Sequence, residues 1–258
     1  YQMHLFIHSM LAMAFKENII PRNYASAASP PKNEKKEVDA LSEEQLETFF
    51  NLLYKDTSEK NYMFQVFYSL LLATGCRIGE LCALSWDNVD FEESKIHICK
   101  HFITDSTGSR IVEGCKTAAG DRWLYMDEGT MTMLKEYKDY YFKTAKSFGN
   151  KWNYFTRAVF FSKQQPGEHL SPSTARNWLQ AFTKKNNLPR IHPHQFRHTA
   201  ISLQLQSGIS IAEASKRAGH SRSTITLGIY AHTIKNNDKH LCEVVTQAIP
   251  KMPKRKSS

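Results

Sequence analysis

Ala73-Thr74-Gly75-Cys76-Arg77-Ile78-Gly79-Glu80-Leu81 is the stretch on which the reading of this chain turns. It closes an apolar run, residues 62–74, that has the length and composition of a central helix. Gly75 stands where such a helix ends in the left-handed conformation common at C-termini. Arg77 therefore falls at the junction with a second short helix, inside the mostly apolar residues 70–84. A guanidinium is costly to bury there unless something anionic compensates it. Two compensations stay open from these residues alone: a local ion pair with Glu80, three residues on, or an anion from outside the chain.

Outward from this stretch the pattern is largely helical. Ser42-Glu43-Glu44-Gln45 is a capping box, and Leu46, Phe49, Phe50 and Leu53 follow at helical spacing, which predicts an amphipathic helix. Between residues 95 and 126 the texture changes. Ile96-His97-Ile98-Cys99 and Arg122-Trp123-Leu124-Tyr125-Met126 favour strands, with Thr117-Ala118-Ala119-Gly120-Asp121 as the hairpin connection and Lys116 projecting from it. Further helices are predicted over residues 129–147, over 172–186 with Ser171 as cap and Pro172 at the first position, and over 194–206 ending at Gly208. Residues 1–17 also read as a helix, with Leu5, Met10, Leu11 and Phe15 as its apolar positions, while residues 20–39, with Pro21, Pro30, Pro31 and a Lys/Glu run, have linker composition. The fold class expected is mainly α with a small antiparallel β-sheet, and no internal repeat is visible.

The 258 residues, 41% hydrophobic, suffice for one large domain and a fragment of another. An excess of 34 Lys and Arg over 25 Asp and Glu gives a net charge of +9, which suits a polyanionic partner. Five cysteines without a Cys-x-x-Cys spacing suggest neither a disulfide framework nor a zinc site, and reduced thiols are expected. Cys76 and Cys115 precede Arg77 and Lys116, yet buried filler is the expected role of both. No stretch approaches a membrane span and no signal-peptide order opens the chain, so a cytoplasmic location is expected.

Chemistry-bearing residues recur at four further places. His194 and Arg197 are one helical turn apart and share a face, from which His198 is rotated away. His192, His194 and His198 invite a metal reading. The intervening Gln195-Phe196-Arg197 offers no Glu as base, however, and an Arg between two ligands repels a cation, so metal binding is rejected. His220, between Gly219 and Ser221, falls between two short helices, where a core or capping histidine is the plain alternative. Tyr230 is one of eleven tyrosines. A phenol, with its ordinary pKa of about 10, attacks at neutral pH only beside cations and a proton acceptor. His232, two residues on, is near enough in sequence to assist it. Lys116 is the least specific, since most hairpin lysines are simply solvated. Taken together, Arg77, Lys116, His194, Arg197, His220 and Tyr230 are what breaking a phosphodiester without metal or cofactor requires: guanidiniums for the phosphate oxygens, imidazoles and an amine to move protons, and a phenol to attack.

The order, context and spacing of the first stretch, of His194-Gln195-Phe196-Arg197-His198-Thr199, of Gly219-His220 and of Ile229-Tyr230-Ala231-His232 resemble those of the tyrosine recombinases, the phage-integrase superfamily. Within it the chain is most similar to integrases of conjugative transposons, over most of residues 41–235. The resemblance implies that Arg77, Arg197, His194 and His220 stabilise a pentacoordinate phosphate, with Glu80 as supporting carboxylate. It implies that Tyr230 forms a 3′-phosphotyrosyl link and that Lys116 protonates the departing 5′ oxygen, with Lys100 and Arg122 as competitors for that role. No cofactor is called for. The partners implied are double-stranded DNA and three further copies of the chain, in a tetramer that passes through a Holliday junction. Residues 1–19 would end a helical core-binding domain, 20–40 form a linker, 41–235 the catalytic domain and 236–258 a tail. In that tail Leu241, Val244, Val245, Ala248 and Ile249 make a one-sided apolar helix, expected to be exchanged with a neighbouring subunit. A bacterial, nucleoid-associated protein would follow. Two alternatives are a type IB topoisomerase, which shares the chemistry as a monomer, and a DNA-binding protein that kept the fold without catalysis.

Overall fold

The structure, a computed structural model, describes residues 2–28, 40–105, 108–114 and 120–220. The chain divides into two compact units, Tyr1–Glu37 and Val38–Ser258. In the first, helix α1 (Gln2–Lys16) is followed by a 3-10 turn, Tyr24–Ala27. Asn23 caps that turn by accepting from the Ala25 N–H, and its Nδ2 donates to the His8 carbonyl at 3.0 Å.

The second unit opens with α2 (Glu43–Lys55), capped reciprocally: Ser42 Oγ accepts from the Gln45 N–H and Gln45 Oε1 accepts from the Ser42 N–H. Helix α3 (Glu59–Thr74) is apolar on most sides and is accordingly the central one, burying Met63, Val66, Phe67, Tyr68, Leu70 and Leu71. It is followed by the short α4 (Ile78–Cys82), then, after the strands, by α5 (Glu128–Phe148), α6 (Pro172–Lys185), α7 (Pro193–Gln206) and α8 (Ile211–Ala218). Ser171 caps α6 through the Thr174 N–H.

One aromatic core joins α2, α3, α6 and α7. The Phe49 ring meets Tyr68, Phe182 and Phe196 edge-on at centroid distances of 6.0, 5.5 and 5.1 Å. Two of its buried phenols are satisfied by backbone, Tyr68 donating to the Ala175 carbonyl at 2.7 Å and Tyr137, from α5, to that of Val159 at 2.9 Å. The entry of the chain is pinned to α7 by the Leu41 N–H, which donates to Thr199 Oγ1 at 2.9 Å.

Two small antiparallel sheets complete the unit. In the first, β1 (Val89–Asp90), β2 (Lys95–Ile98) and β5 (Arg122–Tyr125) lie in the order β1-β2-β5, with Ile96 opposite Leu124 and Ile98 opposite Arg122. The two segments expected as strands do pair, but the chain between them, residues 99–121, holds more than the expected turn, of which only Gly120 and Asp121 are among the described residues. A second hairpin intervenes, β3 (Lys100–Asp105) with β4 (Gly108–Glu113), placing Phe102 opposite Ile111 and closed at its base by a Lys100–Glu113 ion pair of 2.9 Å. Those cross-strand contacts outweigh the polar composition of the stretch, which conceals it as loop. No helix among the described residues is long and apolar enough to cross a membrane.

Candidate active site

Two helix ends and two arginines define the site. At the end of α3, Gly75 adopts φ 61°, donates its N–H to the Leu71 carbonyl, and turns its own carbonyl toward Arg197 Nη1 at 2.8 Å. At the end of α8, Gly219 adopts φ 72° and its carbonyl lies 3.4–3.5 Å from the two terminal nitrogens of Arg77. Both positions need the left-handed conformation that glycine reaches without a Cβ penalty.

Arg197 projects from α7 and is 2% exposed. Its Nη2 is buried with no hydrogen-bond partner among the described residues. Burial first, and then the charge of Arg77, push its pKa down to about 10, so it remains cationic at neutral pH. An unmatched, buried, charged donor is destabilising to the free protein and is the feature of an anion receptor.

Arg77 is about half exposed, and its Nη1 donates to Glu80 Oε1 at 2.7 Å. The local ion pair is therefore formed, but it does not exhaust the charge. Glu80 Oε2 accepts from the Arg77 backbone N–H and from Arg122 Nη2, both at 3.0 Å. Burial alone would raise the Glu80 carboxyl, yet Arg122, with Arg77, holds it below the usual range. Two guanidiniums, of Arg77 and Arg122, thus share one carboxylate whose charge Arg197 also feels, and the surplus is positive.

His194 and His220 complete the wall. Burial lowers the pKa of His194, with the charges of Arg197 and Arg77 adding to it. His220, whose N–H donates to the Ser215 carbonyl at 3.0 Å, is pushed down to about 4 by burial and by Arg197, Arg77 and Arg122. Both rings are neutral at pH 7 and sit in the field of both arginines. His198 is neutral as well: rather than pointing clear of its neighbour, its ring packs edge-on to His194 at 5.2 Å, and burial, with His194, Arg197 and His220 nearby, pushes it to about 4.

The structure therefore brings Arg77, His194, Arg197 and His220 together from α4, α7 and the end of α8. Lys116 and Tyr230 lie outside the described residues, as do Cys115, His232 and the tail. Of the competitors to Lys116, Lys100 pairs with Glu113, and Arg122 is buried with its Nε on the Arg217 carbonyl at 2.7 Å and its Nη1 on that of Gly120 at 2.9 Å. Arg217 itself is a residue the sequence reading passed over; its Nη2 donates to the carbonyls of Ala73 and Tyr125, both at 3.2 Å, tying α8 to α3 and β5. A Ser-x-x-Glu capping box at Ser210 and Glu213 was the signal available for that helix. Cys76 and Cys82 are buried thiols, Cys76 pushed up to about 11 by burial and Cys82 higher still, which fits filler.

Residues 39–237 match the phage integrase family. The chain belongs to that family. Among curated relatives it is 24% identical to the ICEBs1 integrase of Bacillus subtilis (strain 168), covering 89% of this chain and 60% of the relative. It is 28% identical to tyrosine recombinase XerA of Pyrococcus furiosus, covering 84% and 64%. Against the first two curated relatives this member spans 60% and 54% of their length. The fold is that of the Tn1549 transposon integrase solved with transposon right end DNA, at TM-score 0.75 and 21% identity over 93% of this chain and 76% of that one. XerA recombinase gives TM-score 0.57 at 24% identity, covering 96% and 76%.

Proposed function

We propose that this phage integrase family member is a site-specific DNA recombinase of the kind that integrates and excises a mobile element, cutting and rejoining strands through a 3′-phosphotyrosyl intermediate. The observation that carries the reading is the buried Nη2 of Arg197, without a partner among the described residues, beside Arg77, His194 and His220: a cationic pocket built to receive a phosphate oxygen. In the reaction, Arg77 and Arg197 take up the charge that develops on the non-bridging oxygens. The neutral imidazoles of His194 and His220 hydrogen-bond the same group, and the entering anion raises their proton affinity at the moment the Tyr230 phenol must lose its proton. The Tyr230 oxygen then bonds to phosphorus, the P–O5′ bond breaks, and Lys116 delivers a proton to the leaving oxygen. A 5′ hydroxyl from a second duplex reverses the step and joins new strands.

The names of several relatives, recombinases and integrases, and the DNA-bound integrase of like fold support duplex DNA as the substrate. A tetramer, a tail exchanged between subunits, a core-binding domain ending at residue 19, a linker to residue 40, a catalytic domain over 41–235 and a bacterial cytoplasmic, nucleoid-associated location belong to the same proposal.

A nicked suicide duplex that strands the covalent intermediate tests it. The chain should form an adduct, Tyr230→Phe should bind the duplex and form none, and an adduct that persists or maps to another tyrosine overturns the nucleophile. Replacing the 5′-bridging oxygen by sulfur should restore cleavage to Lys116→Ala and not to Arg197→Ala. Recombinant products separate a recombinase from a topoisomerase that only reseals its own strand.

A further inference from the structure

Along β5 the side chains alternate: Arg122 and Leu124 are buried, Trp123 and Tyr125 exposed. Strand pairing sets Arg122 opposite Ile98, on the inner face, where only 6% of its side chain meets solvent. A charge at that place needs partners, and it has them in three directions. Nε donates to the Arg217 carbonyl in the last turn of α8, two residues before Gly219. Nη1 donates to the Gly120 carbonyl, four residues after Lys116. Nη2 donates to Glu80 Oε2 at 3.0 Å and lies 3.4 Å from the sulfur of Cys76, the residue before Arg77. A lysine, with one nitrogen, cannot span three acceptors spread in a plane.

We propose that Arg122 is a positioning residue for strand transfer: a buried fork that sets the Arg77 guanidinium and the His220 turn in place without itself touching DNA, an inference that rests on the function proposed above. It acts through Glu80. With Oε2 held by Arg122, the carboxylate presents only Oε1 to the Arg77 side chain. Without Arg122, only the Arg77 N–H still restrains Oε2, and exchanging that single bond lets the carboxylate pivot to meet the guanidinium with both oxygens; a bidentate pair would neutralise the cation on which the phosphate is to sit. The bond to the Arg217 carbonyl fixes the end of α8, whose next residues supply the Gly219 carbonyl to Arg77 and the ring of His220.

The full chain carrying Arg122→Lys or Arg122→Met tests the proposal. Both variants should stay folded at the assay temperature, melting earlier because three acceptors lose their donor, and should keep the duplex affinity of the unaltered protein, yet cleave the suicide duplex about a hundredfold more slowly. Adding Glu80→Gln to Arg122→Met should cost nothing more, because the two act as one unit. In Arg122→Met alone, with Glu80 intact, the His220 ring, followed by NMR, should titrate at higher pH, since a neighbouring cation has gone. Unaltered cleavage in a folded variant, a loss of rate matched by a loss of duplex affinity, additive effects of the two substitutions, or failure of both single variants to fold would each overturn the positioning role. If the unaltered chain forms no adduct, the recombinase reading fails; the His220 titration still judges Arg122, and an unmoved midpoint rejects it.

Discussion

Phe196 and Arg197 are consecutive residues on α7, and the regions they enter follow opposite rules. Phe196 joins the rings of Phe49, which it meets edge-on, and Tyr68, against which it lies tilted, and the buried hydroxyl of Tyr68 has its acceptor. One residue on, Arg197 enters a region where like charges crowd a single carboxylate and a buried nitrogen has no match among the described residues. The first arrangement is what folding alone selects. The second lowers the stability of the free protein and persists because the first, built on the same α3 and α7, is strong enough to hold it. The contrast separates residues that keep the chain folded from residues that the folded chain keeps in place.

The sharpest way to break this contrast is to exchange the expected outcomes. Phe49→Ala, remote from the arginines, should cost about 3–5 kcal/mol of stability, measured by denaturant unfolding. A loss below a third of that would mean the aromatic core is not what holds the site. Arg197→Met should do the converse, lowering the rate of adduct formation by roughly 10²–10³-fold. Its melting temperature should be unchanged or raised, because a buried, unmatched charge has been removed. Should this variant melt as early as Phe49→Ala, Arg197 would belong with the core. Gly75→Ala lies between the two regions. The φ of 61° and an added Cβ at 3.4 Å from that of Ala200 should cost about 1–2 kcal/mol, with slower cleavage as Arg197 shifts with its acceptor.

The gentlest probe is pH. His220 and His198 are both pushed to about 4, below the ordinary value of about 6.5, so the unfolded chain binds more protons between those limits. Their contribution to stability should be complete above about pH 6.5 and decline as the pH falls toward 4, read as the melting midpoint across a pH series. The decline should be shallower in Arg197→Met, where one cause of both shifts is gone; an identical slope would sever the imidazoles from the arginine cluster.

How much of this was legible in the sequence depended on how far apart the interacting groups lie along the chain. The caps at Ser42 and Ser171 and the stop at Gly75 are governed by residues within four positions, and all were readable. The β3–β4 hairpin was not, because its polar strands depend on cross-strand partners. Glu80 was foreseeable as the Arg77 partner at three residues' distance, whereas its division between Arg77 and Arg122 joins positions 42 residues apart. Arg122 could have been placed inward from its phase with Leu124, but a charged residue in a strand is by habit assigned to the wet face. That His194 and Arg197 share a face was readable from their helical spacing, but their convergence with Arg77 and His220 was implied by resemblance alone; no local pattern joins helix ends separated by more than a hundred residues in sequence.

The carbonyls of Gly75 and Gly219 have a consequence for how such a site can be lost or kept over generations. A main-chain oxygen is common to all amino acids, so no codon change deletes either acceptor outright. Neighbouring side chains can drift while the two guanidiniums keep their addresses, provided α3 and α8 stop where they do. Insertions and deletions are another matter. One residue more or fewer within either helix swings its terminal carbonyl about 100° around the axis, so this pocket is more vulnerable to a change of length than to most changes of letter.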